Sequence, residues 1–347
     1  MASRGIVNMK ICMFSSKAYD EKFFSQNNVT NTALEPQAES LAITYLTPHL
    51  NEDTAFMAQG FDVVCCFVND NINAKVLQQL KAQGIKMVAL RCAGFNNVDL
   101  HAAKKLNIPI CRVPDYSPYA VAEHACALIL DLNRNIHRAH NRIRENDYSL
   151  DGLLGFDLHG KNVGVIGAGK IGQAFIKIMN GFGCNVLVYD PNLETHNNSK
   201  GFTQVSLNTL LTQSDIISLH CPLNTATHHL INAETIKQMK PNVMLINTSR
   251  GALVDTSAII QALKLKKMGY LGIDVYEEES EIFFENLSDT FIQDDVFARL
   301  QTFPNVIITG HQAFFTKEAL TKIAQITLNN IHSYFSGKPE NAHMVTE

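Results

Sequence analysis

Glycine and polar residues follow the short apolar segments of this sequence, in types and spacings that can do chemistry. A G-x-G-x-x-G turn spans residues 167–172, after an apolar segment and at the start of a helical pattern. In that context Gly167 permits a tight turn, Gly169 lets the main chain approach a pyrophosphate, and Gly172 lets helix and strand pack closely. The helix N-terminus favours negative charge. The turn therefore predicts a dinucleotide site, and a glycine turn without a ligand is the alternative.

Asp190 ends the next apolar segment, about twenty residues beyond the glycine turn. A carboxylate there accepts hydrogen bonds from the adenosine ribose hydroxyls and repels a 2′-phosphate. No arginine occurs at positions 191–193, so the sequence favours NAD over NADP. Lys170 and Ile171 open the helix after the turn, and we expect both to contact the same cofactor. The alternative role for Asp190 is a helix or turn cap.

Polar residues also follow the later apolar segments. In an open parallel sheet, ligands bind beyond the carboxyl ends of the strands, so these positions converge on one edge. The residues predicted to contact the cofactor at that edge are His220, Cys221, Pro222, Thr248, Ser249 and Asp274.

Two further residues at these strand ends have catalytic potential. Arg250 carries a planar fork that can bind a carboxylate bidentately and polarise a neighbouring carbonyl. His311 follows the last apolar segment, and an imidazolium can protonate the oxygen of a carbonyl that accepts a hydride. A carboxylate would hold that ring in one tautomer, and Glu277, Glu278 and Glu279 are all candidates. The pattern indicates oxidoreduction of a small 2-oxo or 2-hydroxy acid, whereas a structural ion pair and a solvated histidine are the alternatives.

Composition limits the classes of function. The chain has 347 residues, 46% of them hydrophobic and 18% charged, and a net charge of −4. This balance predicts a globular protein without the positive field that nucleic acid or an anionic membrane requires. The eight cysteines show no C-x-x-C or zinc-like spacing, so we expect no metal and reduced thiols in a cytoplasmic protein.

Short apolar segments alternate with helical patterns in two series. The segments lie at 10–14, 41–46, 62–68 and 86–90 in the first series, and at 163–166, 186–189, 216–219, 243–247, 271–274 and 306–309 in the second. Fully apolar strands separated by helices indicate parallel sheets covered on both faces. The sequence predicts an α/β fold with two doubly wound domains. A final helix at 316–335 should return to the first domain, which would then be discontinuous.

A long helix is predicted between the two series. Ser117 and Pro118 form a helix-start signal, and apolar residues then recur at helical spacing. Arg134, Arg138 and Arg142 would line one face of this helix. We interpret that stripe as a solvated or subunit-contact face, with a regulatory anion site as the alternative.

The sequence resembles the D-isomer-specific 2-hydroxyacid dehydrogenases, and within them the fermentative NAD-dependent D-lactate dehydrogenase branch. The resemblance runs from about Met9 to the C-terminus. The segments that carry it are 91–99, 167–172, 247–251, 272–277 and 310–314. It implies a Rossmann NAD domain at 117–313, inserted into a flavodoxin-like substrate domain at 9–116 and 314–347.

The resemblance implies roles for individual residues. Its Arg, Glu and His triad maps onto Arg250, Glu279 and His311, because Glu279 lies five residues after Asp274.

The same mapping implies the substrate contacts. The backbone N–H groups of Ala93 and Gly94 would hold the substrate carboxylate, and Tyr116 and Phe314 would close over its methyl group. The aromatic, acidic segment 280–284 resembles the D-lactate branch and disfavours phosphoglycerate or glyoxylate as substrate.

The implied activity is reduction of pyruvate to D-lactate, with NADH giving the hydride and His311 the proton. One alternative is a dehydrogenase for larger 2-oxo acids. Another is a non-catalytic NAD-sensing binding protein, because the same family fold also serves as a transcriptional co-repressor. The resemblance also implies a homodimer or homotetramer.

Overall fold

The computed structural model of the chain describes residues 9–34, 41–193, 201–279 and 282–345. The chain divides into two compact units. The first comprises Met1–Ser117 and Phe315–Glu347, and the second comprises Pro118–Phe314. Part of the segment 280–284, namely Ser280 and Glu281, lies outside the described residues.

The first unit is built on a five-stranded parallel sheet in the order β2-β1-β3-β4-β5. This order is that of flavodoxin-like folds. Its strands are β1 (Lys10–Met13), β2 (Ala42–Tyr45), β3 (Val63–Cys66), β4 (Met87–Leu90) and β5 (Ile110–Cys111). Its helices are α1 (Ala18–Leu34), α2 (Ala74–Ala82), α3 (Leu100–Lys105) and α11 (Lys317–Phe335).

Side-chain caps fix where the helices of this unit begin. Asn73 accepts a hydrogen bond from the third residue of α2, Asp99 does so for α3, and Thr316 does so for α11. Helix α11 packs against α1 and β4, and Ala324, Leu328 and other buried α11 residues complete the core. The C-terminal helix therefore belongs to the first unit, as predicted.

The second unit contains a seven-stranded parallel sheet in the order β12-β11-β10-β9-β6-β7-β8. Its strands are β6 (Asn162–Ile166), β7 (Asn185–Tyr189), β8 (Thr203–Gln204), β9 (Ile216–Leu219), β10 (Val243–Asn247), β11 (Met268–Ile273) and β12 (Val306–Ile308). Its helices are α4 (Pro118–Arg134), α5 (Ile136–Arg144), α6 (Lys170–Gly181), α7 (Leu207–Gln213), α8 (Ala233–Gln238), α9 (Thr256–Lys264) and α10 (Asp295–Gln301). The fold class predicted from the sequence is confirmed: both units are doubly wound around parallel sheets.

Apolar side chains fill both faces of the larger sheet. On one face α4 and α6 pack together over residues such as Val165 and Ile246, and on the other Leu245 and Leu271 face α9 and α10. Burial on both sides explains why these strands read as continuous apolar runs. Among the described residues, no helix has both the length and the apolar character needed to cross a membrane.

The prediction of one long helix after Pro118 is wrong beyond Arg134. Asn135 adopts a left-handed backbone conformation with φ of 51°, and a separate helix, α5, starts at the next residue. Asn is one of the few residue types that tolerate this conformation. The carboxylate of Asp131 accepts hydrogen bonds from the His137 backbone N–H and from Nδ1, at 2.8 and 3.0 Å, and stabilises the new helix start. The arginine stripe is therefore divided between two helices.

Candidate active site

The glycine turn connects β6 to α6, and each glycine has a distinct structural reason. Gly167 has φ of 96°, and a Cβ there would lie 2.7 Å from the His220 carbonyl. A Cβ at Gly172 would collide with the carbonyl oxygen of Gly167. At Gly169, by contrast, no atom of the described residues other than the adjoining chain lies within 4 Å of an added Cβ. Packing within the protein thus requires glycine at positions 167 and 172, whereas Gly169 faces open space.

The N-terminus of α6 is suited to a pyrophosphate. Its N-cap is Gly169, which supplies no side-chain hydrogen bond, so the first backbone N–H groups lack that capping partner. Lys170 is exposed and Ile171 is partly buried at this end. Uncapped N–H groups and the positive end of the helix dipole attract an anion. The open space at Gly169 and these donors fit the dinucleotide that the spacing predicts.

Alanine at position 169 should therefore weaken NADH binding without destabilising the protein. Because Cβ would occupy only the space beside the turn, we expect the KM for NADH to rise about tenfold or more, with an unchanged melting temperature. Steady-state kinetics and thermal unfolding of Gly169→Ala measure both. Gly181→Ala is the matched control, since an added Cβ at the far end of α6 also meets nothing within 4 Å. Equal NADH affinity in both variants would contradict this role of Gly169.

Asp190 follows β7 and lies beside the glycine turn. Its Oδ2 accepts a hydrogen bond from the Ala168 N–H at 2.8 Å, and Oδ1 accepts one from Asn192 at 2.9 Å. A carboxylate has about four acceptor sites, so two are left for ribose hydroxyls. The structure thus shows a turn-stabilising role for Asp190, and its contact with ribose stays a prediction.

His220 and Cys221, the first two residues after β9, lie directly next to the glycine turn. The Nε2 of His220 lies 2.9 Å from Ser218 Oγ, and its ring packs on Phe175. Burial lowers the pKa of His220 to about 3, so the ring is neutral. Burial likewise raises the pKa of the Cys221 thiol to about 11. Neither side chain therefore adds a charge to the site, and Pro222 is exposed.

A buried asparagine that sequence reasoning missed holds the loop after β10. Asn247 is 1% exposed, donates through Nδ2 to the Arg250 carbonyl at 2.8 Å, and accepts from the Ser249 N–H at 3.1 Å. Ser249 Oγ donates to the Leu219 carbonyl at 2.9 Å, while Thr248 Oγ1 is buried without a hydrogen-bond partner among the described residues. An asparagine at the end of an apolar strand was the available signal, since buried polar groups are normally hydrogen-bonded.

Arg250 is partly exposed at the sheet edge that Asn247 organises. Its Nη1 donates to the Ser249 carbonyl at 2.6 Å, and the described residues accept no hydrogen bond from its other guanidinium N–H groups. The next residue must be glycine, because a Cβ at Gly251 would collide with the carbonyl of Tyr276. This close approach brings the Arg250 loop against the segment that follows β11.

A histidine and glutamate pair forms at the neighbouring strand ends. His311 Nδ1 lies 2.8 Å from Glu279 Oε1, and both side chains are largely buried, at 17% and 19% exposed. The second carboxylate oxygen of Glu279 accepts a hydrogen bond from the Tyr276 N–H at 2.9 Å. With Nδ1 engaged, the described residues provide no hydrogen bond to Nε2. The imidazole is therefore oriented to exchange a proton through Nε2.

The other two glutamates have different surroundings. Glu277 accepts from His229 Nε2 at 2.7 Å and from the backbone N–H and hydroxyl of Thr256, at the start of α9. Glu278 is exposed. The structure therefore brings Glu279, of the three candidates, to His311.

Asp274 lies at the end of β11 beneath the turn that carries His311. It is fully buried, and its carboxylate accepts hydrogen bonds from the Gln312 and Ala313 N–H groups, both at 2.8 Å, and from Thr309 Oγ1 at 2.5 Å. His124 Nε2 lies 3.4 Å from the same carboxylate. Most of its acceptor capacity is thus spent on the His311 turn, and contact of Asp274 with the cofactor stays a prediction.

The substrate residues implied by the resemblance lie partly in the first unit. Ala93 and Gly94 follow β4, and neither of their N–H groups has a hydrogen-bond acceptor among the described residues. The Ala93 carbonyl instead accepts from Arg112 Nη1 at 2.8 Å, which steadies the loop. Tyr116 is partly buried near the end of the same unit.

Phe314, in the second unit, is 7% exposed, and its ring centroid lies 6.5 Å from that of His311. Its edge-on ring therefore forms an apolar side of the histidine site. Among the described residues, no group of three or more His, Cys, Asp or Glu side chains could hold a metal ion.

Comparisons with known proteins identify the family of this chain. The NAD binding domain model of the D-isomer specific 2-hydroxyacid dehydrogenases matches residues 126–313. A 2-hydroxyacid dehydrogenase homolog of Haemophilus influenzae is 51% identical over 95% of this chain and 97% of its own length. The D-lactate dehydrogenase of Escherichia coli is 49% identical, over 95% and 98%.

A solved structure is similar along most of the chain. The pyruvate reductase of Chlamydomonas reinhardtii superposes with a TM-score of 0.88 at 41% identity, covering 96% of this chain and 98% of its own. The predictions of family and of NAD as cofactor are confirmed. The glycine turn, the Arg250 loop and the His311–Glu279 pair are thus parts of an oxidoreductase, and the chain belongs to the D-isomer specific 2-hydroxyacid dehydrogenases.

Proposed function

We propose that this chain is an NAD-dependent D-lactate dehydrogenase that reduces pyruvate to D-lactate. The observation that carries the proposal is the His311–Glu279 pair, which leaves Nε2 of His311 available for proton exchange. Two similar proteins are named for the product and the substrate of this reaction, one as a D-lactate dehydrogenase and the other as a pyruvate reductase. The bound NADH supplies the hydride.

Two residues of the second unit would act on the carbonyl. His311, protonated and held by Glu279, donates its Nε2 proton to the oxygen that becomes the alcohol. The ionised Glu279 stabilises the imidazolium before that transfer and fixes its tautomer. Arg250 polarises the same carbonyl and pairs with the carboxylate of the acid. The reverse reaction uses neutral His311 as the base.

The remaining residues would select the acid. The unused N–H groups of Ala93 and Gly94 offer two adjacent donors for a carboxylate, as in other backbone anion sites. Tyr116 and Phe314 would contact the methyl group of the substrate.

We also propose the domain limits 9–116 with 314–347 for the substrate domain and 117–313 for the NAD domain. A cytoplasmic location is a further proposal, which the eight free, buried cysteine thiols support.

The deciding experiment is an NADH oxidation assay with pyruvate, followed by chiral analysis of the lactate. We expect pyruvate-dependent loss of NADH absorbance and D-lactate as the product. Formation of L-lactate would overturn the stereochemical assignment. NADH binding without turnover of any 2-oxo acid would instead favour a non-catalytic NAD-sensing protein.

We also propose that the chain forms a homo-oligomer through the segment 136–154. Helix α5 buries none of its residues, and Ile136, Ile143, Tyr148, Leu150 and Leu154 are 55%, 54%, 70%, 82% and 90% exposed. Such a concentration of exposed apolar side chains is typical of an interface.

A hydrogen bond within the segment 136–154 connects helix α5 to the chain that follows it. Arg142 Nη1 donates to the Asp151 carbonyl at 2.7 Å, which holds α5 against the chain that follows. We therefore expect light scattering to give the mass of a dimer or tetramer, and a Leu150→Ser, Leu154→Ser variant to dissociate. A native monomer would contradict the proposal.

A further inference from the structure

The segment that follows Glu279 contains two consecutive phenylalanines with different surroundings. Phe283 is 5% exposed and packs edge-on against Phe297 of α10, at 5.8 Å between ring centroids. It thereby anchors the segment in the core of the second unit. Phe284 is partly buried, and its ring centroid lies 5.6 Å from the imidazole of His311. Phe283 therefore packs in the core, while Phe284 lies next to His311, the proposed proton donor.

The backbone at Phe284 is strained. Its φ is 69°, in the left-handed region that bulky residues rarely occupy. Conformations of this kind persist only when the surrounding structure enforces them, and they concentrate at functional sites. At Phe284 this conformation directly follows the buried Phe283 and accompanies the placement of the Phe284 ring beside His311.

The rings of Phe284, His311 and Phe314 contact one another pairwise. The Phe284 and Phe314 centroids lie 6.4 Å apart, and Phe314 stands edge-on to the imidazole at an interplanar angle of 82°. The imidazole is thus bordered by two apolar rings while Glu279 holds its Nδ1. A carbonyl that accepts the Nε2 proton must lie within hydrogen-bond distance of that nitrogen. The side chain of the 2-oxo acid must then lie in the space that the Phe284 and Phe314 rings leave free.

We infer that Phe284 is a specificity-determining residue that restricts the acid to a small side chain. This inference rests on the proposed function, and it assigns the preference for pyruvate over larger 2-oxo acids to a residue outside the predicted substrate contacts. The benzene ring occupies the volume that a branched or aromatic side chain would need. The preference is steric, because a packed aromatic wall excludes larger groups.

The test is a series of 2-oxo acids with increasing side chains: pyruvate, 2-oxobutyrate, 4-methyl-2-oxovalerate and phenylpyruvate. For Phe284→Ala we expect the ratio of kcat/KM for phenylpyruvate to that for pyruvate to rise about 100-fold, since differences of this size are typical of one pocket contact. Phe291→Ala is the matched control: it makes the same change on the same segment, at a ring that is 93% exposed. The control should leave the ratio unchanged.

A second variant separates the ring from the strain. Phe284→Gly also removes the ring, but glycine adopts positive φ without cost, so this variant should fold at least as well as the alanine variant. Both should shift the ratio equally, and thermal unfolding reports their stability. An unmoved ratio, with all acids losing rate in proportion, would overturn the inference and leave the proposed function intact. A native chain that turns over none of the acids would overturn both.

Discussion

Replacing His311 with glutamine should lower kcat/KM for pyruvate about 1000-fold, the largest effect expected of any single change in this site. Glutamine is similar in size and can still form a hydrogen bond with Glu279. However, its amide cannot deliver a proton to a carbonyl oxygen at neutral pH. The loss therefore isolates proton transfer from packing. Initial rates of NADH oxidation measure it.

Two comparisons make the His311 result specific. Binding of NADH, measured by fluorescence, should be unchanged, because the glycine turn is intact in the variant. His101→Gln, at an exposed position on α3, makes the same chemical change and should retain native activity. Glu279→Gln should lose less than His311→Gln, since the histidine remains but its orientation and charge are less supported. If His311→Gln kept a tenth or more of the native rate, His311 would not be the proton donor.

Replacing Arg250 with lysine should lower kcat/KM for pyruvate about 100-fold, mainly through a higher KM. Lysine keeps the positive charge but loses the planar fork that binds a carboxylate through two parallel hydrogen bonds. The loss of such a charged contact costs about 3 kcal/mol, equivalent to the stated factor. The Asn247 side chain bonds the main chain of the loop, so its conformation should survive the change.

The control for this change is Arg299→Lys on α10, where the guanidinium lies 5.0 Å from the Phe303 ring centroid. That variant should keep the native KM. Steady-state kinetics across pyruvate concentrations separate KM from kcat in both proteins. An unaltered KM for pyruvate in Arg250→Lys would exclude bidentate binding of the substrate carboxylate. If kcat fell while KM stayed the same, the role of Arg250 would be limited to polarising the carbonyl.

The site residues differ in how far their roles could be predicted from sequence. The glycine turn was predicted because its three glycines have a fixed local spacing, although the atoms that crowd Gly167 belong to His220 and Cys221, far along the chain. Arg250 and His311 were readable because strand ends of a parallel sheet share one edge. Asn247 was missed although an asparagine at the end of an apolar strand was a signal, because the sequence does not show which groups its side chain bonds. Phe284 was noted only as part of a segment, and its backbone conformation has no sequence signature.

Some elements of the fold also escaped the pattern. The strands β5 and β8 have two residues each, too few for any periodicity to register. The break at Asn135 was missed because helical spacing continues across it and only the capping carboxylate of Asp131 marks a new start.

By itself, the sequence determined the two parallel sheets, the helix that returns from the C-terminus, the dinucleotide turn and the edge where polar residues collect. These follow from local physical chemistry: apolar periodicity, helix capping and the conformational freedom of glycine. The residues alone left Glu277, Glu278 and Glu279 open, and the family resemblance implied Glu279. The tertiary structure brings Glu279 to His311, and only the tertiary structure showed that Asp274 holds the turn beneath His311. Such pairings join residues far apart in the chain, so they depend on how strands and loops pack in space.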